Sequence, residues 1–275
     1  MTGGSVLREP GNLPQNARRD GETTPIATTS WPGRFPSMTT VRTVAAHEVV
    51  QAAYPRPVTE RDEIGMAVGK AIDETLAKYS YEFAQSRKPT RTAMNRLASE
   101  ILDRELEDAD VQLTAPDRER QLTAISGVLQ AFRNSPVMGL ARPRSRLIII
   151  DGRVGIYAQP DYWDGRDRFY EMKSYHATPT PPDVQLQLRL FQLAFPNFRA
   201  FLASFDRHVT PVTTTIEEIP ALEAATGQEV LRLAYRTAVE KGIDKVLEYV
   251  DNPTVRYTLP DGNAPRRPGT DPVDP

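Results

Sequence analysis

Pro160-Asp161 and Glu171-Met172-Lys173 place two carboxylates and a lysine within reach of one hairpin. Hydrolysis of a phosphodiester asks for such a set. Water must be brought onto a centre already crowded with negative oxygen. Mg²⁺ or Mn²⁺ takes oxygen ligands, commonly one or two carboxylates with water and substrate phosphate. Such an ion makes bound water more acidic and holds phosphate oxygens. A lysine alongside orients the attacking water or offsets the charge that builds up.

The elements around these residues read as strand, turn, strand. Gly155-Ile156-Tyr157-Ala158 runs into Pro160-Asp161-Tyr162-Trp163, and Arg168 to Tyr175 is an aromatic-rich return strand. Side chains alternate along a strand, so Glu171 and Lys173 share a face. Neighbouring strands lie about 4.8 Å apart, which brings Asp161 within range. The turn signal Asp164-Gly165 creates a difficulty. A strict two-residue hairpin would pair Asp161 with Arg168 and turn Glu171 and Lys173 to the opposite face. The carboxylates converge only if the loop is odd or a bulge intervenes, and Pro160, which cannot donate to a ladder, favours irregularity. The plain alternative is a surface hairpin carrying an ordinary Glu–Lys pair.

Asp183 to Phe195 reads as a helix, capped by Asp183 after Pro181-Pro182. Gln185, Arg189 and Gln192 share a polar stripe. Gln187 lies about 200° round from Gln185 at ~100° per residue, among Leu186, Leu190 and Phe191. It is either a satisfied core amide or a site residue touching the lysine, the attacking water or the DNA backbone. Upstream, Ile64, Ala67, Val68, Ala71, Ile72, Leu76 and Tyr79 make a helical apolar stripe. Gly65, Gly69 and Asp73 lie on the neighbouring strip. Each glycine costs a helix roughly 1 kcal/mol, so something is expected to approach the backbone there, with Asp73 beside it and Glu74 as the rival carboxylate.

On these residues the chain resembles the PD-(D/E)XK nuclease superfamily, and within it the RecB-like exonuclease branch. Pro160-Asp161 and Glu171-Met172-Lys173 are similar to the catalytic hairpin, and Gln187-Leu-Arg-Leu-Phe191 to the Gln-x-x-x-Tyr helix. Weaker similarities are Val49 to Arg56, against a segment ending Cys-Pro-Arg, and Gly65 to Asp73, against Gly-x-x-x-His-x-x-x-Glu. The resemblance covers roughly residues 42–206. It implies an α/β fold: a restriction-endonuclease-like core with a mixed central sheet flanked by helices, plus an N-terminal helical lobe. It implies Mg²⁺- or Mn²⁺-dependent DNA hydrolysis in repair, recombination, replication or defence. The implied catalytic residues are Asp161, Glu171, Lys173 and Gln187; the implied metal set is Asp161, Glu171, Met172 and Asp73.

The departures matter. Tyr54 replaces the cysteine and the chain has none, which excludes the iron–sulfur cluster of some relatives. Gly69 stands in place of a metal-ligating histidine, Asp73 in place of glutamate and Phe191 in place of tyrosine. A catalytically silent module that binds nucleic acid or a protein partner is therefore the competing expectation.

Composition narrows the setting. The 275 residues are 39% hydrophobic and 25% charged, which suits a soluble globular core with unstructured ends. No run of about 20 apolar residues and no secretory pattern is seen, so an intracellular, cytoplasmic protein with no membrane partner is expected. The net charge of −2 means any DNA-binding patch is local. Arg142, Arg144 and Arg146 form a candidate patch, sharing one face if the strand through Leu147–Ile150 begins that early. His47, His176 and His208 are too scattered for a zinc motif, though His176 follows Lys173 closely. Residues 1–40 and 251–275 read as disordered tails flanking a nuclease-like domain at 41–250, with a helical lobe at 41–140 and a catalytic core at 141–250. Helices are expected over 42–54, 59–86, 90–109, 117–134 and 219–241, and strands near 145–151, 153–162, 168–175, 199–205 and 210–217.

Overall fold

The computed structural model describes residues 38–259, except 56, 86, 88, 153, 242–243 and 249–254. The helix expected over 42–54 is two elements, β1 (Met38–Ala45) and α1 (Ala46–Ala53). Thr39, Thr40, Val41, Thr43 and Val44 are β-branched and favour extended backbone. Ala45 remains extended, and its N–H donates to the Glu48 carboxylate at 2.6 Å, which starts the helix.

The helical lobe follows: α2 (Glu60–Lys78), α3 (Ser80–Ala84), α4 (Arg91–Asp108) and α5 (Ala115–Arg133). Thr59, Thr90 and Thr114 each accept an N–H from three residues ahead, so the three long helices share one capping chemistry. Then come β2 (Arg146–Ile150), β3 (Val154–Ala158), β4 (Tyr162–Trp163), β5 (Arg168–Lys173) and α6 (Pro182–Ala194). The chain continues through β6 (Arg199–Asp206), β7 (Thr213–Ile219), α7 (Ala224–Lys241), β8 (Asp244–Glu248) and β9 (Val255–Tyr257).

The architecture is mixed α/β, with two mixed sheets in place of one central sheet. The five-stranded sheet runs β8-β1-β3-β2-β9, with β1–β3 and β2–β9 parallel. The four-stranded sheet runs β4-β5-β6-β7, with β5–β6 parallel. The split falls at Gln159-Pro160-Asp161, between β3 and β4. Pro160 has no N–H, so an unbroken ladder cannot pass through it.

Two cores hold the elements together. In one, Val44, Ile148, Ile156, Phe169, Leu188, Phe191, Leu231 and Tyr257 are buried. In the other, Val68, Ile72, Leu102, Leu129 and Phe132 of the lobe meet Tyr162, Ala203 and Phe205. The β5–β6 pair therefore has one face on each core. Gly127 permits a close approach of the lobe to the β6–β7 connection: a Cβ there would lie 2.7 Å from Val212 Cγ2, just before β7. No described helix is long and apolar enough to cross a membrane.

The expected tails are corrected at their inner ends, since β1 begins at Met38 and β9 lies within 251–275; residues 1–37 and 260–275 fall outside the described set. β9 was illegible as a strand because three residues between turn-rich flanks carry no periodic signal. Its Tyr257 is 5% exposed, and its hydroxyl donates to the Leu193 carbonyl at 2.6 Å. Burial pushes the phenol pKa up to about 12. Tyr257→Phe should lose about 1 kcal/mol through the unmade hydrogen bond. Tyr257→Ala should lose roughly 3–5 kcal/mol, as for other large aromatic truncations in a core. Urea unfolding measures both, and wild-type stability in Tyr257→Ala would show that β9 does not belong to the core.

Candidate active site

The hairpin loop is odd. Tyr162 pairs with Tyr170 and Trp163 with Phe169, and the Asp164 N–H donates to the Arg168 carbonyl at 3.1 Å. Three residues, Gly165, Arg166 and Asp167, make the turn. Gly165 sits at φ 75°, where a side chain would be strained. The Asp164 carboxylate accepts the N–H groups of Arg166, Asp167 and Arg168 at 2.9, 3.2 and 3.1 Å. The Asp-Gly pair thus acts as an organiser of a longer loop. Carried one step further, this register sets Asp161 opposite Glu171, on the face of Lys173.

That face meets α6. The Lys173 ammonium donates to Glu171 Oε1 at 2.7 Å and to Gln187 Oε1 at 3.0 Å. The Met172 N–H donates to Asp161 Oδ2 at 2.7 Å, so the return strand itself orients Asp161. Gln187 is therefore tied to the lysine. The polar stripe expected on the other side of α6 is not a solvated face. Gln192 is 6% exposed and donates to the Pro220 carbonyl at 3.0 Å, while Gln185 donates to Thr180 at 2.8 Å. Phe191 packs edge-on against Phe169 in the core, 6.2 Å between centroids, so no hydroxyl is called for at that position.

The electrostatics follow from burial. Asp161 keeps contact with the cleft, yet the protein packed around its carboxyl, and then the neighbouring Glu171, hold its pKa well above the usual carboxylate range. Lys173 and the Met172 N–H oppose that shift, and the more distant Asp73 adds to it. Burial works to lower the Lys173 pKa, but the charge and hydrogen bond of Glu171 and the charge of Asp161 outweigh it and leave the ammonium above its ordinary value. Glu171 is 4% exposed, and its Oε2 is buried without a hydrogen-bond partner among the described residues.

The outer candidates are arranged differently from the sequence expectation. Asp73 lines the cleft, but its carboxylate is ion-paired with Arg142. Glu74 points to Arg104 on the lobe surface, at 2.9 Å. Among the described residues no three His, Cys, Asp or Glu side chains come together as a metal group, so Asp73 does not complete a three-carboxylate set with Asp161 and Glu171. The arginine row does not form, because β2 starts only at Arg146. Arg142 lies over the Tyr162 ring at 5.5 Å. Arg146 donates to the Ala194 carbonyl at 3.0 Å and stacks on Phe195 at 4.4 Å, with its pKa lowered by burial. Arg144 is exposed and apart from both. His176 is exposed and bonded to Thr178 at 3.0 Å.

The site opens into a cleft of about 1430 Å³ between α2, α5, the end of β5 and the β6–β7 connection. The glycine strip borders this space. A Cβ on Gly69 would meet nothing within 4 Å, and one on Gly65 would meet only Arg207 Nη2 at 3.6 Å. No backbone approaches either glycine. Sequence reasoning overlooked Arg61, Arg91, Arg120 and Arg207 of the cleft wall. For Arg207 a signal existed, since ligands of α/β sheets gather at the carboxyl ends of parallel strands and Arg207 directly follows β6.

The donors fit a hard divalent cation. Asp161 and Glu171 offer oxygen alone, one Glu171 oxygen lacks a partner, and two carboxylates suffice for an ion completed by water and phosphate. Two crowded carboxylates also destabilise the fold. A carboxyl whose folded pKa is raised contributes most to stability when protonated, and that contribution is lost as pH rises through the folded pKa. Asp161→Asn, keeping a carbonyl for the Met172 N–H, should therefore raise the Tm at neutral pH in EDTA. About 1 kcal/mol is worth ~2–4 °C in a domain of this size. The gain should fade in melts below pH 4. An unchanged or lower Tm at pH 7 would mean that Asp161 is not electrostatically strained.

No protein-family model matches the chain, and no curated protein matches it. Among solved structures, one from Eubacterium rectale named "Putative exonuclease" superimposes with a TM-score of 0.46 and 8% identity, over 76% of this chain and 86% of that one. A second, SSO0001, gives a TM-score of 0.33 and 15% identity over 72% of this chain and 76% of that one. Both superpositions are loose, so what this chain does must come from its own cleft residues.

Proposed function

We propose that this chain is a Mg²⁺- or Mn²⁺-dependent nuclease that hydrolyses DNA phosphodiester bonds. The observation that carries the proposal is the convergence of Asp161, Glu171 and Lys173 at the floor of one cleft, with Gln187 bonded to the lysine from α6. Asp161 and Glu171 would hold the ion, with Met172 between them. When bound, the ion would supply an acidified water and a counter-charge to the phosphate oxygens.

The chain's own residues divide the remaining work. Glu171 and Gln187 hold the Lys173 ammonium at one point, so its charge is already in place when substrate arrives. Lys173 then donates to the attacking water or a non-bridging phosphate oxygen. Gln187 keeps the lysine from swinging fully onto Glu171. Only the ionised Asp161 carboxylate can hold a cation, so cation binding competes with its protonation and should weaken as pH falls, more so because burial and Glu171 raise its pKa. Attraction for phosphate would come from individual cleft arginines, since the lining carries carboxylates as well.

The deciding experiment uses end-labelled and circular, single- and double-stranded DNA with Mg²⁺, Mn²⁺ or EDTA. Cleavage is expected with the cations and absent in EDTA. Glu171→Gln should abolish cation affinity and cleavage together. Lys173→Ala should retain much of the cation affinity, measured by calorimetry, and lose on the order of 10²–10³ in turnover, as for removal of one preorganised donor. Gln187→Ala should reduce turnover about tenfold or more by freeing Lys173, at an effective barrier change of ~1.4 kcal/mol. Full activity in EDTA, or undiminished cleavage by Glu171→Gln and Lys173→Ala, would sink the proposal. DNA binding without cleavage under every cation would instead favour a non-cleaving binding module.

A further inference from the structure

Several of the described arginines are ion-paired. Arg104, Arg118, Arg142 and Arg199 all sit against carboxylates, of Glu74, Asp103, Asp73 and Glu218. Arg207 does not. It is half-buried in the cleft, its Nη1 donates to Ser174 Oγ at 3.1 Å, and no carboxylate pairs with it among the described residues. Its backbone N–H reaches the Ser174 carbonyl at 3.4 Å, so both ends of the residue are tied to the residue after Lys173. Burial lowers its pKa, with Tyr175 as the opposing influence. A guanidinium nonetheless stays charged in proteins.

A partly desolvated cation without an anion is destabilising. Holding one in a fixed orientation makes sense when an anion arrives from outside. The fork geometry of guanidinium suits two oxygens of one phosphate. Gly65 supports this placement: α2 passes beside the guanidinium, and even a Cβ there would touch Nη2 at 3.6 Å. Larger side chains would crowd the face that looks into the cleft.

We infer that Arg207, braced by Ser174 and given room by Gly65, binds a backbone phosphate of the nucleic acid next to the one positioned over Asp161, Glu171 and Lys173. The inference rests on the nucleic-acid reading of the cleft but not on cleavage. Arg207 serves binding and register; Ser174 is its positioning residue.

The test is fluorescence anisotropy in EDTA, with labelled single-stranded and blunt duplex oligonucleotides, across a salt series. Arg207→Met keeps the aliphatic stem and removes the charge. It should weaken binding about tenfold and reduce the slope of log K against log salt by ~0.7 on single strands or ~0.9 on duplex, the loss of one phosphate contact. Arg207→Lys should keep the wild-type slope and bind less tightly, because the fork is lost. Ser174→Ala should weaken binding with the slope unchanged. Gly65→Leu, which favours the α2 helix, should weaken binding by crowding the guanidinium and guards against misfolding of Arg207→Met. Wild-type affinity and slope in both Arg207→Met and Gly65→Leu would overturn the inference, as would failure of the wild-type chain to bind either oligonucleotide. Failure of the nuclease proposal is read separately, as absent cleavage with Mg²⁺ and Mn²⁺ while these binding differences persist.

Discussion

Everything in the cleft depends on the register between β4 and β5. A sheet has a side-chain period of two, so one residue more or less in the loop would send Glu171 and Lys173 to the lobe and leave Asp161 facing α6. The three-residue turn at Gly165-Arg166-Asp167 prevents that. Gly165 supplies the positive φ, and Asp164 gathers three N–H groups that the turn would leave open. Pro160 contributes from the other side by ending the first sheet just before Asp161. Irregular backbone thus brackets the carboxylate pair, at Pro160 before Asp161 and at Gly165 to Asp167 before Glu171.

The register also explains the burial pattern. Phe169 and Glu171 share a face of β5, as do Tyr170 and Met172 on the other. The first pair meets the core built around α6, and the second packs against the lobe core. A sheet covered on both faces leaves its strand ends as the exit to solvent, and the cleft forms at one such end. The carboxylate pair therefore sits in a poorly hydrated floor, where burial and then mutual repulsion raise the Asp161 pKa and attraction to the pair keeps Lys173 charged. Gln187 holds the lysine from the other side, on a helix most of whose residues are buried.

Charge is distributed by the same logic. Arginines that brace the fold meet carboxylates, carbonyls or rings: Arg142 ties the lobe helix α2 to the segment before β2, and Arg146 caps the end of α6. These contacts remove them from any free basic surface. The cleft lining is mixed in charge: Arg61, Arg91, Arg120, Lys173 and Arg207 face it together with Asp62, Asp73, Asp161, Glu171 and Asp183.

The sequence by itself determined the local chemistry and most elements. Asp161, Glu171 and Lys173 were legible because residue type and hairpin spacing are local properties, and Gln187 because its angle on a helix is set by the 3.6-residue period. The first long helix of the lobe was legible from its apolar stripe, Ile64 to Tyr79. Parity arithmetic showed that the Asp-Gly signal could not make a two-residue turn if the site was to form. What only the tertiary structure decided is what distant segments do to one another. β9 is three residues long and exists because β2 has an open edge and Tyr257 finds the Leu193 carbonyl. The partner of Asp73 is Arg142, 69 residues away, and no local pattern encodes that pairing. The split into two sheets and the setting of Arg207 belong to the same class. Periodicity reports which face of an element is apolar, whereas long-range packing decides which polar side chains meet there.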